Sequence, residues 1–275
     1  MTVPDRATDT RPSDAYSPFE IAERVRDTGV SKANTNAWTL FVLAVLAGAF
    51  ISLGAAFFIT VVTGAQLGYG INRLLGGVAF SLGLIMIVIG GGELFTGNNL
   101  VSMAWASRLI STRQLVRNWT LAYAGNVVGA LGTAGLIWLA DLDRLAGGDI
   151  GQTAHSIGEA KADLGFVRSL ALGVLCNALV CMAVWLAMGG RSVTDKVLAI
   201  VLPVAAFVAL GFEHSIANWF FLPYSMALDG NISLAGSALN LFAVTMGNML
   251  GGTLLVAGVY WVAYLRDGKR GAGSE

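Results

Sequence analysis

Residues 91–98 read GGELFTGN, and residues 211–218 read GFEHSIAN. Both stretches fit the pattern Gly-x-Glu-x-x-x-x-Asn, and they lie 120 residues apart. Further along the chain, GNVVG at 125–129 matches GNMLG at 247–251, at a separation of 122 residues. Because the two separations agree, and because both matches stand at the same place in the order of apolar segments, we interpret the chain as an internal repeat.

The composition is that of a membrane protein. Charged residues make up 12% of the 275 residues and apolar residues 55%, whereas ordinary soluble domains are about 25% charged. A soluble enzyme, a nucleic-acid-binding protein and a disordered scaffold are therefore disfavoured. The net charge of zero indicates no polyanionic partner. The 35 glycines, which follow no three-residue period, favour close helix packing within a membrane.

Long stretches that are nearly free of charge predict membrane spans, since a crossing needs about 20 apolar residues. They predict an all-α membrane protein with six transmembrane helices, near 38–63, 72–106, 115–140, 166–189, 194–228 and 236–265. The second and fifth of these spans are long for one crossing, and the repeated motif interrupts both. Three crossings in each half put the two halves in opposite orientations, as an inverted 3+3 repeat whose halves cover about 38–140 and 166–265.

The repeated motif is predicted to break the second and fifth helices. Glycine frees the backbone there, and the polar side chains can satisfy it; the break residues are Gly91, Glu93, Asn98 and Gly211. Irregular backbone at membrane depth is tolerated where it is buried in protein or lines a cavity. The two breaks are therefore expected to meet and line a pathway. Glu93 and Glu213 are open to two interpretations, as backbone caps at the breaks or as proton relays.

The basic residues predict the orientation of the chain, because Lys and Arg concentrate in cytoplasmic loops. Two connections carry mostly basic charge, that between spans two and three (Arg108, Arg113, Arg117) and that between spans four and five (Arg191, Lys196). Both termini are therefore predicted to be cytoplasmic. The domains are an N-terminal tail, a transmembrane domain and a C-terminal tail, at 1–37, 38–265 and 266–275. Ser17-Pro18-Phe19-Glu20 reads as a capping box that starts a short helix over 18–28, with Gly29 as its stop.

His214 is one of two histidines, and it lies inside an apolar span, where ionisable groups are costly and usually serve a pathway. No second ligand stands near it at metal-binding spacing, so neither a metal nor a cofactor is predicted. His155 lies in the polar connection between spans three and four and is expected to be a solvated loop residue. Cys176 and Cys181 are expected to be small core residues. No enzyme motif is present, and a phosphate-binding loop is missing.

With these motifs the chain resembles the formate–nitrite transporter family and is most similar to its formate channels. The resemblance runs from about Pro18 to Arg266 and is most specific at 211–218, in the loop at 94–96 and in the turn at 190–196. It implies an aquaporin-like fold and a homopentamer with one pore per protomer, in a bacterial-type inner (plasma) membrane. It also implies transport of a small anion, formate, through a pore containing one central histidine. An apolar constriction next to one titratable His suggests that the anion passes with a proton; a charged His that helps anions conduct is the open alternative.

Carried over residue by residue, the resemblance implies a pore. His214 matches the family's central pore histidine, and Thr96 matches the loop threonine that faces it. Lys161 matches the lysine beneath the outer vestibule, although the sequence alone makes it part of a solvated charge run. The neighbouring polar positions are Asn177, Glu213 and Asn218. The apolar residues of the two constrictions are Phe80, Leu84, Leu94, Phe95 and Phe207, which by spacing alone would be ordinary core.

Three functions remain open at this point. The first is a formate-type channel. The second is a nitrite or hydrosulfide transporter of the same family, because residues 96–99 read Thr-Gly-Asn-Asn and differ from the loop of the best-known formate channels. The third is a membrane anchor subunit of an enzyme, which would not need an inverted repeat with buried Glu and His.

Overall fold

A computed structural model of the chain describes residues 15–228 and 231–266, and regular structure in these ranges is entirely helical. The helices are α1 (Pro18–Asn34), α2 (Ala37–Val62), α3 (Tyr69–Gly90), α4 (Ser102–Ala106), α5 (Thr112–Leu139), α6 (Asp149–Ala162), α7 (Phe166–Gly189), α8 (Val193–Ala209), α9 (Ser215–Leu228) and α10 (Leu234–Leu250). Short 3₁₀ turns, Gly97–Val101 and Leu142–Gly148, precede α4 and α6, and π-helical turns, Gly251–Gly258 and Trp261–Leu265, extend α10. Residues 1–14 and 267–275 of the predicted tails lie outside the described residues.

In the described part of the chain, five helical segments are long and apolar enough to cross a membrane: Ala37–Val62, Tyr69–Gly90, Thr112–Leu139, Phe166–Gly189 and Leu234–Leu265. Four of them closely match predicted spans one, three, four and six, and Tyr69–Gly90 corresponds to the part of predicted span two that precedes its break. The stretch predicted as the fifth span contains two shorter helices instead, α8 with 17 residues and α9 with 14. The prediction of an all-helical membrane protein is confirmed at the level of these five spans.

Glycine sets how closely the long helices approach one another. A methyl group at Gly129 of α5 would overlap the backbone oxygen of Val45 on α2. At the equivalent place in the second half, a methyl group at Gly251, directly after α10, would overlap the backbone oxygen of Val174 on α7. Close backbone approach at small residues is the usual way in which membrane helices pack. The glycine-rich repeat thus holds α2 on α5 and α7 on α10.

The N-terminal helix α1 starts as predicted but ends later. The Glu20 carboxylate accepts from the Ser17 N–H at 2.8 Å, and the Ser17 hydroxyl accepts from the Glu20 N–H at 3.4 Å. The hydrogen bond from the Ser17 N–H, followed by that from its hydroxyl, lowers the pKa of Glu20. The predicted stop at Gly29 is wrong, because this glycine is buried where α1 crosses Val101 and Ala104, and the helix continues to Asn34.

The connection between the third and fourth predicted spans is also more ordered than expected. His155, expected in a solvated loop, lies half-buried on helix α6. The prediction was wrong because a stripe of small and apolar residues four positions apart is hidden within a polar stretch: Ile150, Ala154, Gly158 and Ala162 are all buried. This stripe lets α6 pack on α9, where the Ser225 hydroxyl donates to the Ala154 carbonyl at 2.7 Å.

Two glycines of α5 allow a matched test of this packing. Gly129 faces α2, whereas a methyl group at Gly132 would meet nothing within 4 Å. We expect Gly129→Ala to lower the free energy of unfolding by about 1–3 kcal/mol, the usual cost of overpacking. Gly132→Ala is expected to leave it unchanged or raise it slightly, because Ala is the better helix former. Thermal unfolding of the two variants in detergent measures the difference, and equal midpoints would contradict the packing.

Candidate functional site

Two short non-helical loops interrupt the bundle, at residues 92–96 after α3 and at residues 212–214 after α8. Each loop follows a glycine in the left-handed region, Gly91 with φ of 94° and Gly211 with φ of 73°. Side chains strongly disfavour this conformation, and glycine adopts it readily. The two glycines therefore end their helices and turn the chain into the loops.

Asn126 of α5 fixes the backbone of the first loop. Its Oδ1 accepts from the Phe95 N–H at 2.8 Å, and its Nδ2 donates to the Glu93 carbonyl at 2.9 Å and to the Ala44 carbonyl of α2 at 2.7 Å. One buried amide thus satisfies three backbone groups in the protein interior, where an unpaired group is costly.

Asn248 of α10 holds the second loop in the same manner. Its Oδ1 accepts from the Ser215 N–H at 2.9 Å, and its Nδ2 donates to the Glu213 carbonyl at 3.0 Å and to the Gly173 carbonyl of α7 at 2.8 Å. The two asparagines are the repeat-related residues of the GNVVG and GNMLG segments. The repeat in the sequence therefore corresponds to a repeat of hydrogen bonds.

Each loop also carries a glutamate that pairs with a lysine. In the first loop the Glu93 carboxylate accepts from Lys32 at 2.9 Å and from the Asn98 amide at 2.8 Å. Lys32 also donates to the Asn98 side-chain oxygen at 3.0 Å, and the Asn98 amide donates to Asn118 at 3.0 Å. The Glu93 carboxylate therefore forms hydrogen bonds with side chains. The backbone groups of the loop are capped by Asn126 instead.

The second loop repeats this cluster. The Glu213 carboxylate accepts from Lys161 at 2.8 Å and from the Asn218 amide at 2.7 Å, and that amide also donates to Asn240 at 2.7 Å. The Lys161 and Glu213 side chains are 14% and 6% exposed. A charge at such a depth needs a partner, and each of these two supplies the partner of the other.

Thr96 and His214 join the two loops in the protein interior. The Thr96 hydroxyl and the His214 Nε2 lie 3.0 Å apart, and both side chains are buried. His214 Nδ1 accepts from the Ala217 N–H at 3.2 Å, so the neutral ring carries its proton on Nε2 and donates it to Thr96. The Thr96 carbonyl in turn accepts from the Asn177 amide at 3.2 Å and from the Cys181 thiol at 3.4 Å.

Cavities lie on both sides of this pair. One, of about 280 Å³, contains Lys32 and Glu93, and another, of about 330 Å³, contains Lys161 and Glu213. Between them is a space of about 10 Å³, which holds at most one water molecule. Some of the residues that line this space also line one of the two larger cavities. The full lining consists of Ile51, Phe80, Leu84, Leu94, Val180, Val204, Phe207 and His214. The larger cavities thus meet at an apolar neck.

Four of the five residues expected in the constrictions line this neck, and Phe95 is the exception. Its ring packs edge-to-face on Tyr123 of α5, with the ring centroids 4.9 Å apart. The reason is local, because the Phe95 N–H is held by Asn126, and Tyr123 lies one helical turn before Asn126. The ring of Phe95 is therefore directed at α5.

Several residues of the site are not among those predicted from the sequence. Asn118 and Asn240 stand 122 residues apart. This is the separation of Asn126 and Asn248, which we call the asparagine clamps of the two loops, so the repeat contained a signal for them. Lys32 and Lys161 are 129 residues apart, which is also the separation of Ala44 and Gly173 on the long helices that follow them. This differs from the 120 and 122 residues of the repeated motifs, so those motifs did not reveal the pair.

Two arginines add positive charge to the cavity of Lys161. The Arg73 guanidinium donates to the Val208 carbonyl at 2.6 Å and to the Ala209 carbonyl at 3.3 Å, and so caps the C-terminal end of α8. Arg168 lines the same cavity and makes no hydrogen bond or ion pair with any described residue. This cavity is therefore positively charged overall.

Within residues 15–228 and 231–266, no group of three or more His, Cys, Asp or Glu side chains is arranged to hold a metal ion. Cys176 and Cys181 are both buried and free, as expected of small core residues. The chemistry of the site therefore comes from the lysines, the glutamates, Thr96 and His214.

Comparison with known proteins adds to this geometry. The family model described as "Formate/nitrite transporter" matches residues 19–262. The formate channel FocA of Escherichia coli (strain K12) is 41% identical over 276 residues, which cover 93% of this chain and 97% of that protein.

Solved structures are similar as well. One described as a pentameric formate channel with formate bound has a TM-score of 0.75 and 38% sequence identity, covering 84% of this chain and 98% of that one. Another, described as a channel of the FNT family, has a TM-score of 0.80 and 30% identity, covering 89% and 98%.

The buried ion pair can be tested against an exposed one. Glu213→Gln leaves Lys161 without a counter-charge, and we expect it to lower the free energy of unfolding by about 3–5 kcal/mol. Adding Lys161→Met to the same protein should recover most of that loss. Asp141→Asn, which breaks the exposed pair with Arg144, is expected to cost less than about 1 kcal/mol. A double-mutant cycle by unfolding in detergent measures these values, and additive effects at 161 and 213 would refute the coupling.

Proposed function

The chain belongs to the formate/nitrite transporter family, and we propose that it is a channel or transporter for small monovalent anions, with formate as its main substrate. The observation that carries the proposal is the likeness, over almost the whole chain, to proteins named as formate channels. The same likeness supports a homopentamer with one pore in each protomer. It also places the protein in a membrane and gives no reason to expect an enzyme.

The proposed topology is an inverted repeat of six crossings. Helix α8, the loop at 212–214 and α9 would form one broken crossing, and α3, the loop at 92–96 and the turn before α4 would form the other. Equivalent hydrogen bonds of Asn126 and Asn248 support this pairing, because each holds its loop against a neighbouring long helix. Non-helical backbone buried in protein in this way is compatible with membrane depth.

The proposed orientation has both termini in the cytoplasm of a bacterial-type cell. Its support is the row of basic residues in the connections after α4 and α7. The cavity of Lys32 then faces the cytoplasm, and the cavity of Lys161 faces outward. The domain division into a membrane domain at 38–265 and two cytoplasmic tails is retained as part of this proposal.

The apolar neck determines the form in which the substrate crosses. Moving a bare carboxylate into a dry apolar ring costs on the order of 20 kcal/mol in the idealised limit. Protonating a carboxylate with a pKa of about 4 at pH 7 costs roughly 4 kcal/mol, since the difference is about three units. The neutral acid therefore crosses the neck at much lower cost, and the substrate passes together with a proton.

The polar groups around the neck have separate roles in this proposal. Lys32 and Lys161, one in each large cavity, attract the anion to the two entrances. Because His214 donates to the Thr96 hydroxyl, the proton of that hydroxyl is free to donate to a substrate oxygen. His214, which is the titratable group of the neck, exchanges the proton with the substrate directly or through water.

Flux into proteoliposomes tests the substrate. We expect formate to pass faster than nitrite, hydrosulfide, acetate or lactate at pH 7, with protein-free vesicles as the control. A preference for nitrite or hydrosulfide would support the proposed pore but contradict formate as its main substrate. Such a result would agree with the Thr-Gly-Asn-Asn loop at 96–99. The absence of flux for every anion would refute the transport function and favour a membrane anchor.

A histidine variant tests the proton step. Wild-type formate flux is expected to rise from pH 7 to pH 5, because the lower pH supplies the proton that must accompany the anion. His214→Phe should abolish the flux or remove its pH dependence. The matched control is His155→Phe, which replaces the other of the two histidines far from the neck on α6. An unchanged pH profile in His214→Phe would rule out the proposed role of this residue.

A further inference from the structure

A chain of hydrogen bonds crosses between the two halves of the repeat, outside the site described above. The Trp219 indole N–H donates to the Tyr123 hydroxyl at 2.8 Å, and the Tyr123 and Thr245 hydroxyls lie 3.1 Å apart. The Thr245 hydroxyl donates to the Leu241 carbonyl at 2.6 Å. Because an indole only donates, and because Thr245 has already used its proton, Tyr123 must accept from Trp219 and donate to Thr245.

Two residues of this hydrogen-bond chain, Tyr123 and Thr245, lie on the same helices as the two asparagine clamps. Tyr123 and Thr245 stand 122 residues apart, the spacing of the clamps themselves. Tyr123 lies three residues before Asn126 on α5, and Thr245 lies three residues before Asn248 on α10, so each shares a helix face with its clamp. Among the described residues, this is the one side-chain hydrogen bond that joins α5 to α10. It connects the helices that hold the two loops.

Both loops are also close to the hydrogen-bonded residues Tyr123 and Trp219. The Phe95 ring of the first loop packs on the Tyr123 ring, and Phe95 immediately precedes Thr96. Trp219 belongs to α9, which begins directly after His214 at the end of the second loop. Tyr123 is therefore linked to Thr96 through the ring contact with Phe95 and to His214 through Trp219 and the first turns of α9.

We propose that Tyr123 is a positioning residue whose hydroxyl, held between Trp219 and Thr245, sets the separation of the two loops and thereby the size of substrate that the neck admits. The inference rests on the proposed transport function. A space of about 10 Å³ is sensitive to small shifts of its walls, since close-packed interiors have little room for adjustment. Loosening the two loops would widen the neck for acids larger than formate.

Simple core packing does not account for the hydroxyl. A phenylalanine at position 123 would keep the ring contact with Phe95, and apolar residues at 219 and 245 would remove the need for partners. The structure instead contains a directional chain in which all three donors are used, and leaving one of them unpaired is costly. Such a chain fixes one relative position of α5 and α10 rather than a range of positions.

The experiment compares Tyr123→Phe with Tyr224→Phe as the matched control. The Tyr224 hydroxyl is also buried in the second half but has no partner among the described residues. In proteoliposomes, Tyr123→Phe is expected to raise the ratio of acetate to formate flux about fivefold, the factor that one hydrogen bond supplies. It should also change the pH profile of formate flux, and Thr245→Val should act in the same direction. Tyr224→Phe should leave both readouts unchanged.

Several results would overturn the inference. One is an unchanged flux ratio and pH profile in Tyr123→Phe, measured on a variant that has the oligomer size of the wild type and remains folded at the assay temperature. Another is an equal shift in Tyr224→Phe. If the wild type carries no anion, the proposed function fails, and a double-mutant cycle of unfolding then tests the positioning role alone. Coupling between Tyr123→Phe and Thr96→Val is expected in that cycle, and additivity would refute the role.

Discussion

The structure depends on one constraint, which is that a polypeptide leaving the helical conformation inside an apolar bundle must find partners for its backbone groups. The two loops meet this constraint with a single side chain each. An asparagine offers one acceptor and two donors, and Asn126 and Asn248 use all three on two groups of their loop and one group of a neighbouring helix. Each clamp therefore fixes the loop and the helix packing together, and a shift in either disturbs both.

The charges of the site follow from the same requirement. A glutamate at this depth is stable only with a counter-charge and hydrogen bonds, and each loop obtains both from a lysine and an asparagine. The lysine comes from the end of a helix that packs against the bundle from outside the repeat of long helices: Lys32 from α1 and Lys161 from α6. As a result, each large cavity contains an ammonium group whose position is set by a carboxylate. This places a positive charge at both entrances to an apolar neck.

Much of this arrangement could be predicted from the sequence, and the exceptions have physical reasons. The repeated motif indicated both loops, and the charge-free stretches indicated four of the five long helical segments within a few residues. Phe95 was misplaced because its backbone bond to Asn126 decides the direction of its ring, and no pattern of apolar residues contains that information. Lys32 was missed because its distance from Glu93 along the chain differs from that between Lys161 and Glu213. Helix α6 was missed because its buried stripe is made of small residues within a polar stretch.

The two loops have equivalent backbones but different side chains, and this difference is where the chemistry lies. At the repeat spacing of 120 residues, Leu94 corresponds to His214 and Phe95 to Ser215. The clamps hold the backbone of both loops alike, so the side chains at these positions are not needed for the fold and are free to differ. The result is a neck with an apolar residue on one side and a titratable ring on the other, facing Thr96 at 3.0 Å. A repeated scaffold thus presents one titratable ring to the neck that lies between the two cavities.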